Sequence, residues 1–193
     1  MTNEEIIKKA EKAAPSWTSP AERNEMIDLA KQVREGGLIV EIGGLYGGMT
    51  AVLGLSNPNA QIVVIDEFSW NPIKELKASA ALLLSNCNGA GVNNVRVITG
   101  DSRVVGKTWN QPIDLLWIDG GHSYEFVKSD LDHFGPHAAR IALHDYGNPF
   151  WKTIQQAVDD FLKVHPEWRF DHNVETVGVL ERVVTPEPQM SEM

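Results

Sequence analysis

The chain has 193 residues, 42% of them hydrophobic and 22% charged, the composition of one ordinary globular domain with at most a short appendage. Seventeen Lys and Arg against 26 Asp and Glu leave a net charge of −9, which argues against a sequence-independent nucleic-acid binder, since such a protein needs a cationic face to displace phosphate counterions. A single cysteine, Cys87, excludes an intramolecular disulfide framework and a cysteine-based zinc ribbon, and no apolar run reaches the ~20 residues of a membrane span.

The first ten residues mix charges and lack the apolar core of a secretory signal, so a cytoplasmic location and no membrane partner are expected. Residues Glu4 to Ala13 alternate charged and apolar groups and predict a helix. Ser19-Pro20-Ala21-Glu22 has the form of a capped helix start, Ile27, Ala30 and Val33 give that helix an apolar stripe, and Gly36-Gly37 stops it. This segment, residues 1–35, is expected to act as a substrate lid or an oligomer contact. From 36 to 184 the rhythm is that of one domain. Short β-branched runs at 38–42, 61–65, 95–99, 113–118 and 140–143 alternate with helical spacings at 48–55, 73–89 and 124–134, plus a short helix near 103–108. Near-continuous apolar strands alternating with helices predict a doubly wound α/β fold around a parallel sheet. A helix marked by Trp151, Ile154, Val158, Phe161 and Leu162 and a hairpin over 168–174 and 176–183 complete it. The expected sheet has seven strands, mostly parallel, with one antiparallel edge strand. The tail, residues 185–193, has little to bury and is expected to be mobile.

Ligands of open α/β sheets bind beyond the carboxyl ends of the strands, so the residues that follow each strand are the candidates. After the first strand comes Glu41-Ile42-Gly43-Gly44-Leu45-Tyr46-Gly47-Gly48. Glycines here let the backbone approach a ligand closely. Gly43 and Gly47 are four apart, unlike the dinucleotide fingerprint, and the acidic Glu41 suits a ligand bearing an ammonium group better than one bearing phosphates. The alternative is a tight turn with no ligand. Asp66 ends the second strand where a carboxylate can hold both hydroxyls of a ribose, with Glu67 a near-equal candidate and a solvated or capping carboxylate the alternative. Asp101-Ser102 follows the third strand; a carboxylate there can accept from an adenine amino group, or it can simply cap a helix. The fourth strand leads into Asp119-Gly120-Gly121-His122-Ser123-Tyr124-Glu125, and the fifth into His144-Asp145-Tyr146.

The glycine loop, the Asp-Gly-Gly-His-Ser-Tyr-Glu run and Ile141-Ala142-Leu143-His144-Asp145-Tyr146 together resemble the class I S-adenosylmethionine-dependent methyltransferases. The branch they resemble is the small-molecule O-methyltransferase-like group that includes macrocin O-methyltransferase and the cephalosporin-biosynthesis methyltransferase-like proteins. The resemblance spans roughly residues 36 to 183. It implies S-adenosylmethionine as cofactor, with Glu41, Gly43, Gly44 and Gly47 around its methionine part, Asp66 and Glu67 at the ribose, and Asp101 and Ser102 at the adenine. It further implies a divalent ion, Mg²⁺ or Mn²⁺, on Asp119, His144 and Asp145, with Asp119 adjoining the cofactor as well. His144 stands where acidic ligands are commoner in the family's magnesium enzymes, and an imidazole tilts the site toward Mn²⁺, Fe²⁺ or Zn²⁺.

The implied reaction is methyl transfer to a small-molecule hydroxyl, with His122 or His144 taking the acceptor proton. Two other readings stand beside it: a nicotinamide-dependent oxidoreductase on a similar sheet, and a non-catalytic S-adenosylmethionine-binding protein. The expected partner is a small-molecule acceptor rather than nucleic acid, with a homo-oligomer completing an otherwise open pocket. Trp70, Trp109, Trp117, Trp151 and Trp168 read as core or interface anchors, Trp70 having a further claim as a pocket wall. Cys87 reads as a structural thiol.

Overall fold

The computed structural model describes residues 1–183, so the expectation for the tail 185–193 lies outside the described residues. Two capped helices come first, α1 (Asn3–Ala13) and α2 (Pro20–Gln32). Each begins with a reciprocal capping box, Thr2 with Glu5 and Ser19 with Glu22, which satisfies two backbone donors that a helix start leaves unpaired. Then follow β1 (Leu38–Ile42), α3 (Gly48–Ser56), β2 (Gln61–Asp66), α4 (Ala80–Gly89), β3 (Val95–Thr99) and α5 (Ser102–Val105). The described residues continue through β4 (Leu115–Ile118), α6 (Tyr124–Phe134), β5 (Arg140–Leu143), α7 (Lys152–Val164), β6 (Trp168–Val174) and β7 (Val177–Arg182). Among the described residues no helix is long and apolar enough to cross a membrane.

Three element boundaries differ from expectation. The helix expected over 73–89 begins only at Ala80, capped by Ser79; in the preceding stretch Lys74, Glu75 and Lys77 are exposed, while Ile73, Leu76 and Ala78 pack in a small cluster with Tyr46 as turns rather than as helix. That stretch is tied down instead by the Tyr46 hydroxyl, which donates to the carbonyl of Leu76 at 3.1 Å. The strand expected over 113–118 keeps only Leu115–Ile118, with Ile113 left as a single bridge to Ala138. The short helix expected near 103–108 is one α turn followed by a 3₁₀ turn over Gly106–Thr108.

The seven strands lie in the order β3-β2-β1-β4-β5-β7-β6. β1 to β5 pair in parallel, whereas β7 runs antiparallel to β5 and to β6. The antiparallel strand therefore lies one place in from the edge, which β6 occupies. Side chains divide by strand parity, as a pleated sheet requires. Ile39, Ile62, Val64, Leu115, Trp117 and Ala142 face α1, α2, α3 and α4, while Val40, Ile42, Val63, Ile65, Leu116, Ile118 and Ile141 face α6 and α7. Residues 1–35 are not set apart from this core: Ile6, Ala10, Met26, Ile27 and Ala30 pack in the same cluster as the sheet.

Strand order reverses between β1 and β4, and there the crossovers leave in opposite directions and open a crevice. Register fixes what lines it. Ile42 pairs with Ile65 on one side and Ile118 on the other, and Ile118 pairs with Leu143. The next residues out, Gly43, Asp66, Asp119 and His144, therefore stand level along one rim. Backbone bonds hold them there: Gly43 N–H donates to Ile65 O at 2.9 Å, Asp119 N–H to Ile42 O at 2.8 Å and His144 N–H to Ile118 O at 3.0 Å.

Candidate functional site

The rim bounds a cleft of ≈ 610 Å³ into which Glu41, Asp66, Asp101, Asp119, His122, His144 and Asp145 all open. Following the strand order, it has a β3–β2–β1 half and a β4–β5 half.

The first half is built on the turn after β1. Gly43 has φ +92°, and a Cβ there would lie 2.1 Å from the carbonyl oxygen of Asp119, so only glycine lets the two strand ends approach this closely. Glu41, one position inside the strand, is fully buried. Its Oε2 accepts from the Thr50 hydroxyl of α3 at 2.5 Å, while Oε1 has no partner. Burial pushes the Glu41 carboxyl up to about 8; the Thr50 hydrogen bond opposes this, and the charges of Asp119 and Asp66 add to it. An unpartnered buried carboxyl oxygen beside an open cleft is a seat for a cationic donor. Asp66 accepts from the N–H of Leu45 at 2.7 Å and of Phe68 at 2.5 Å. A carboxylate offers about four acceptor sites, so two remain. Glu67 accepts from the Ser69 hydroxyl and lines the same wall.

Asp101 does cap α5, accepting from Arg103 N–H at 2.9 Å, and it also pairs with the Arg103 guanidinium, which holds its carboxyl below the usual range. It still lines the cleft together with Ser102 and with Phe126, over whose ring Arg103 stacks at 3.8 Å. Gly44 lines the cleft, but Gly47 does not. Gly47 caps α3 with φ +89°, and a Cβ there would press on Leu83 and Cys87, so its requirement is the turn itself. Cys87 is buried, its thiol pushed up to about 12 by burial and by the charge of Glu41, as suits an inert structural thiol.

The second half is made of side chains. His144 Nδ1 lies 3.2 Å from Asp119 Oδ1 and 3.3 Å from Asp145 Oδ2, and its Nε2 lies 3.5 Å from Glu22 Oε2. Burial alone would lower the imidazole pKa, but hydrogen bonding to Asp119, Asp145 and Glu22 outweighs it and holds the ring cationic up to about 12. Burial likewise raises Glu22, yet its bonds from His144, Thr176 and Ser19 carry it down to about 2. Asp145 occupies left-handed backbone at φ +58°, a conformation Asp tolerates better than most residues and one that turns its carboxylate back on the rim. His122 stacks on Trp151 at 4.9 Å, with its Nε2 3.3 Å from Asp145 Oδ2 and otherwise unpartnered.

The donor set suits a divalent ion. One atom each from Asp119, His144 and Asp145 lie within 4.8 Å of one another. Two ligand atoms bound at ~2.1 Å to one ion stand roughly 3.0–3.4 Å apart, and His144 Nδ1 stands 3.2 Å from Asp119 and 3.3 Å from Asp145.

Two cleft residues, Phe126 and Trp17, and one behind the cleft, Glu22, carry no functional signal in the sequence. Glu22 showed only as a helix cap, Phe126 lay inside a helical run, and Trp17 falls between two helices. The exposed rings of Trp17 and Trp70 meet at 5.7 Å over the β1–β2 side, so Trp70 is a wall residue, as is the half-exposed Trp151, whereas Trp117 and Trp168 are core.

A family model described as "Methyltransferase domain" matches residues 40–146, more than half of the chain, and the protein belongs to that family. It is an S-adenosylmethionine-dependent methyltransferase. Among solved structures it is similar to the O-methyltransferase NovP, with a TM-score of 0.70 at 15% identity over 88% of this chain and 82% of that one. It is similar to CalS11, a TDP-rhamnose 3′-O-methyltransferase of calicheamicin biosynthesis, with a TM-score of 0.61 at 19% identity over 83% and 77%. It is also similar to the SAH-bound methyltransferase PaMTH1 of Podospora anserina, with a TM-score of 0.63 at 20% identity over 94% and 87%. An rRNA methylase of Streptococcus thermophilus shares the fold as well, so fold does not choose the acceptor. No curated protein sequence matches the chain.

Proposed function

We propose that the protein transfers the methyl group of S-adenosylmethionine to a hydroxyl of a small molecule, with a divalent ion held by Asp119, His144 and Asp145. The observation that supports this reading is one cleft in which a glycine turn with strand-end carboxylates lies on one side of the β1–β4 switch point and the Asp119, His144 and Asp145 cluster on the other. Glu41 and the Gly43 turn would seat the methionine ammonium, Asp66 and Glu67 the ribose, and Asp101 with Ser102 the adenine. That order along the rim would leave the methyl-bearing end of the cofactor on the β4 side, beside Asp119.

In the reaction the acceptor oxygen forms a bond to the methyl carbon, the S–CH₃ bond breaks, and its electron pair remains on sulfur as the thioether of S-adenosylhomocysteine. The residues' chief contribution is alignment of the two reactants. A divalent ion at Asp119, His144 and Asp145 would lower the acceptor hydroxyl's pKa and polarise it. His144 is engaged on both ring nitrogens, so His122 is the group left to take the acceptor proton, and the Asp145 carboxylate beside it stabilises the imidazolium that results. A small-molecule acceptor is supported by the acidic chain and by the likeness to CalS11.

The test is paired titration of the free protein with S-adenosylhomocysteine and with NAD, followed by turnover of a panel of hydroxylated small molecules and of RNA with Mn²⁺ present. Binding of S-adenosylhomocysteine alone and methylation of a hydroxyl are expected, and His122→Ala is expected to lower that turnover by roughly 10²–10⁴-fold while the ligand still binds. Methylated RNA, or binding of NAD alone, would contradict the reading.

A further inference from the structure

Glu22 lies outside every motif that carries the proposed chemistry, yet the fold brings it to the far side of His144. The residue is 4% exposed, whereas Glu5, which fills the same place in the capping box of α1, is exposed. Capping a helix therefore does not account for the burial. Glu22 Oε1 accepts from the N–H of Thr176 at 3.1 Å and from its hydroxyl at 2.5 Å, and Oε2 accepts from the N–H of Ser19 at 2.8 Å. Thus anchored from α2 and from the β6–β7 turn, Oε2 faces His144 Nε2 at 3.5 Å.

A neutral imidazole carries one N–H, and a carboxylate can only accept. With Glu22 beyond Nε2, the proton that an ion-bound ring would retain is the one on Nε2, and Nδ1 is the nitrogen that would give its lone pair to an ion shared with Asp119 and Asp145. A metal-binding imidazole is oriented and made more basic by such a carboxylate, and a basic imidazole donor favours transition ions over Mg²⁺.

We propose that Glu22 is a positioning residue that fixes the Nε2–H tautomer of His144 and so builds, with Asp119 and Asp145, a centre for Mn²⁺ and similar transition ions rather than for Mg²⁺. The inference rests on the ion site proposed above. It makes the N-terminal helical segment part of the centre, which is assembled from α2, the strand ends of β4 and β5, and the β6–β7 turn.

The test is calorimetric titration of the full chain with Mn²⁺, Co²⁺ and Mg²⁺, together with the visible absorption of the Co²⁺ form, for the wild type, Glu22→Gln, Thr176→Val, His144→Asp and the Glu22→Gln/His144→Asp double variant. Wild type is expected to bind Mn²⁺ and Co²⁺ more tightly than Mg²⁺. Glu22→Gln has one oxygen to serve Ser19, Thr176 and His144; an amide turned toward Nε2 drives the ring proton to Nδ1, and Mn²⁺ and Co²⁺ affinity should fall roughly 10–100-fold with a changed Co²⁺ spectrum. Binding of S-adenosylhomocysteine should be unchanged and serves as the check on folding. Thr176→Val loosens the anchor but keeps the carboxylate, so ion affinity should hold. In the His144→Asp background the Glu22→Gln change should cost no affinity. Wild type binding none of the three ions would overturn the ion site and this inference with it. Wild-type binding that Glu22→Gln leaves intact, or that it lowers equally in the His144→Asp background, would overturn this inference alone.

Discussion

The two halves of the cleft are made from different materials. On the β3–β2–β1 side, ligand-facing groups come from consecutive residues at strand ends, and backbone amides already engage them: Asp66 by Leu45 and Phe68, Asp101 by Arg103. On the β4–β5 side, side chains from α2, the β4–α6 loop and the end of β5 meet, and the imidazole of His144 is ringed by the carboxylates of Glu22, Asp119 and Asp145. A preformed backbone cradle and a side-chain cluster should fail differently when perturbed.

The largest effect is expected on the cluster. Asp119→Asn removes one carboxylate from the ion-binding set, and turnover should fall by roughly 10³-fold, the several kcal/mol that a polarising ion contributes. Binding of Mn²⁺, followed by calorimetry, should be lost with it, while S-adenosylhomocysteine still binds. Loss of both ligands together would mean that the halves are not separate.

A smaller effect is expected at Glu41. In the free protein its carboxyl, held up near 8, is protonated at pH 7. An ammonium seated beside it favours the ionised form, so the complex holds one proton fewer and binding near pH 7 should release a proton. Above the pKa of the free ligand's own α-amino group, where the Glu41 carboxyl is already ionised, the ligand is neutral at that nitrogen, so binding should take a proton up. The observed enthalpy should therefore depend on buffer ionisation with opposite sign at the two pH values. Glu41→Gln should abolish the release and weaken binding roughly 10–100-fold, the worth of a charge-assisted hydrogen bond at about 1.5–3 kcal/mol.

The smallest effect is expected at Gly47. Alanine in its left-handed conformation should lower stability by about 1–2 kcal/mol in urea unfolding. Cofactor affinity should barely move, because Gly47 faces α4 and not the cleft. A large loss of affinity would return Gly47 to the cofactor contacts.

The contrast also explains what could be read from sequence. Strand ends are legible because apolar runs locate them, and parallel register then sets Gly43, Asp66, Asp119 and His144 level without further information. The strand from Arg140 to Leu143 had the same limits in sequence and in the fold, and His144-Asp145 followed from it. Glu22 was visible as a cap because capping is a local pattern, but its contact with His144 spans 122 residues and depends on how α2 packs, which no local pattern encodes. Trp17 was missed for the same reason. α4 starts later than the helix formers of 73–79 predict, because Ile73, Leu76 and Ala78 pack in one cluster with Tyr46 and its hydroxyl binds the Leu76 carbonyl, tertiary contacts that no local pattern encodes.

The most direct test of the two-part cleft is a crystal structure of the protein with S-adenosylhomocysteine and Mn²⁺, with diffraction recorded at the manganese edge. The account predicts the nucleoside over β2 and β3, the ammonium at Glu41, and a single anomalous peak bounded by Asp119, His144 and Asp145. A nucleoside lying across β4 and β5, or manganese found only away from those three residues, would contradict it.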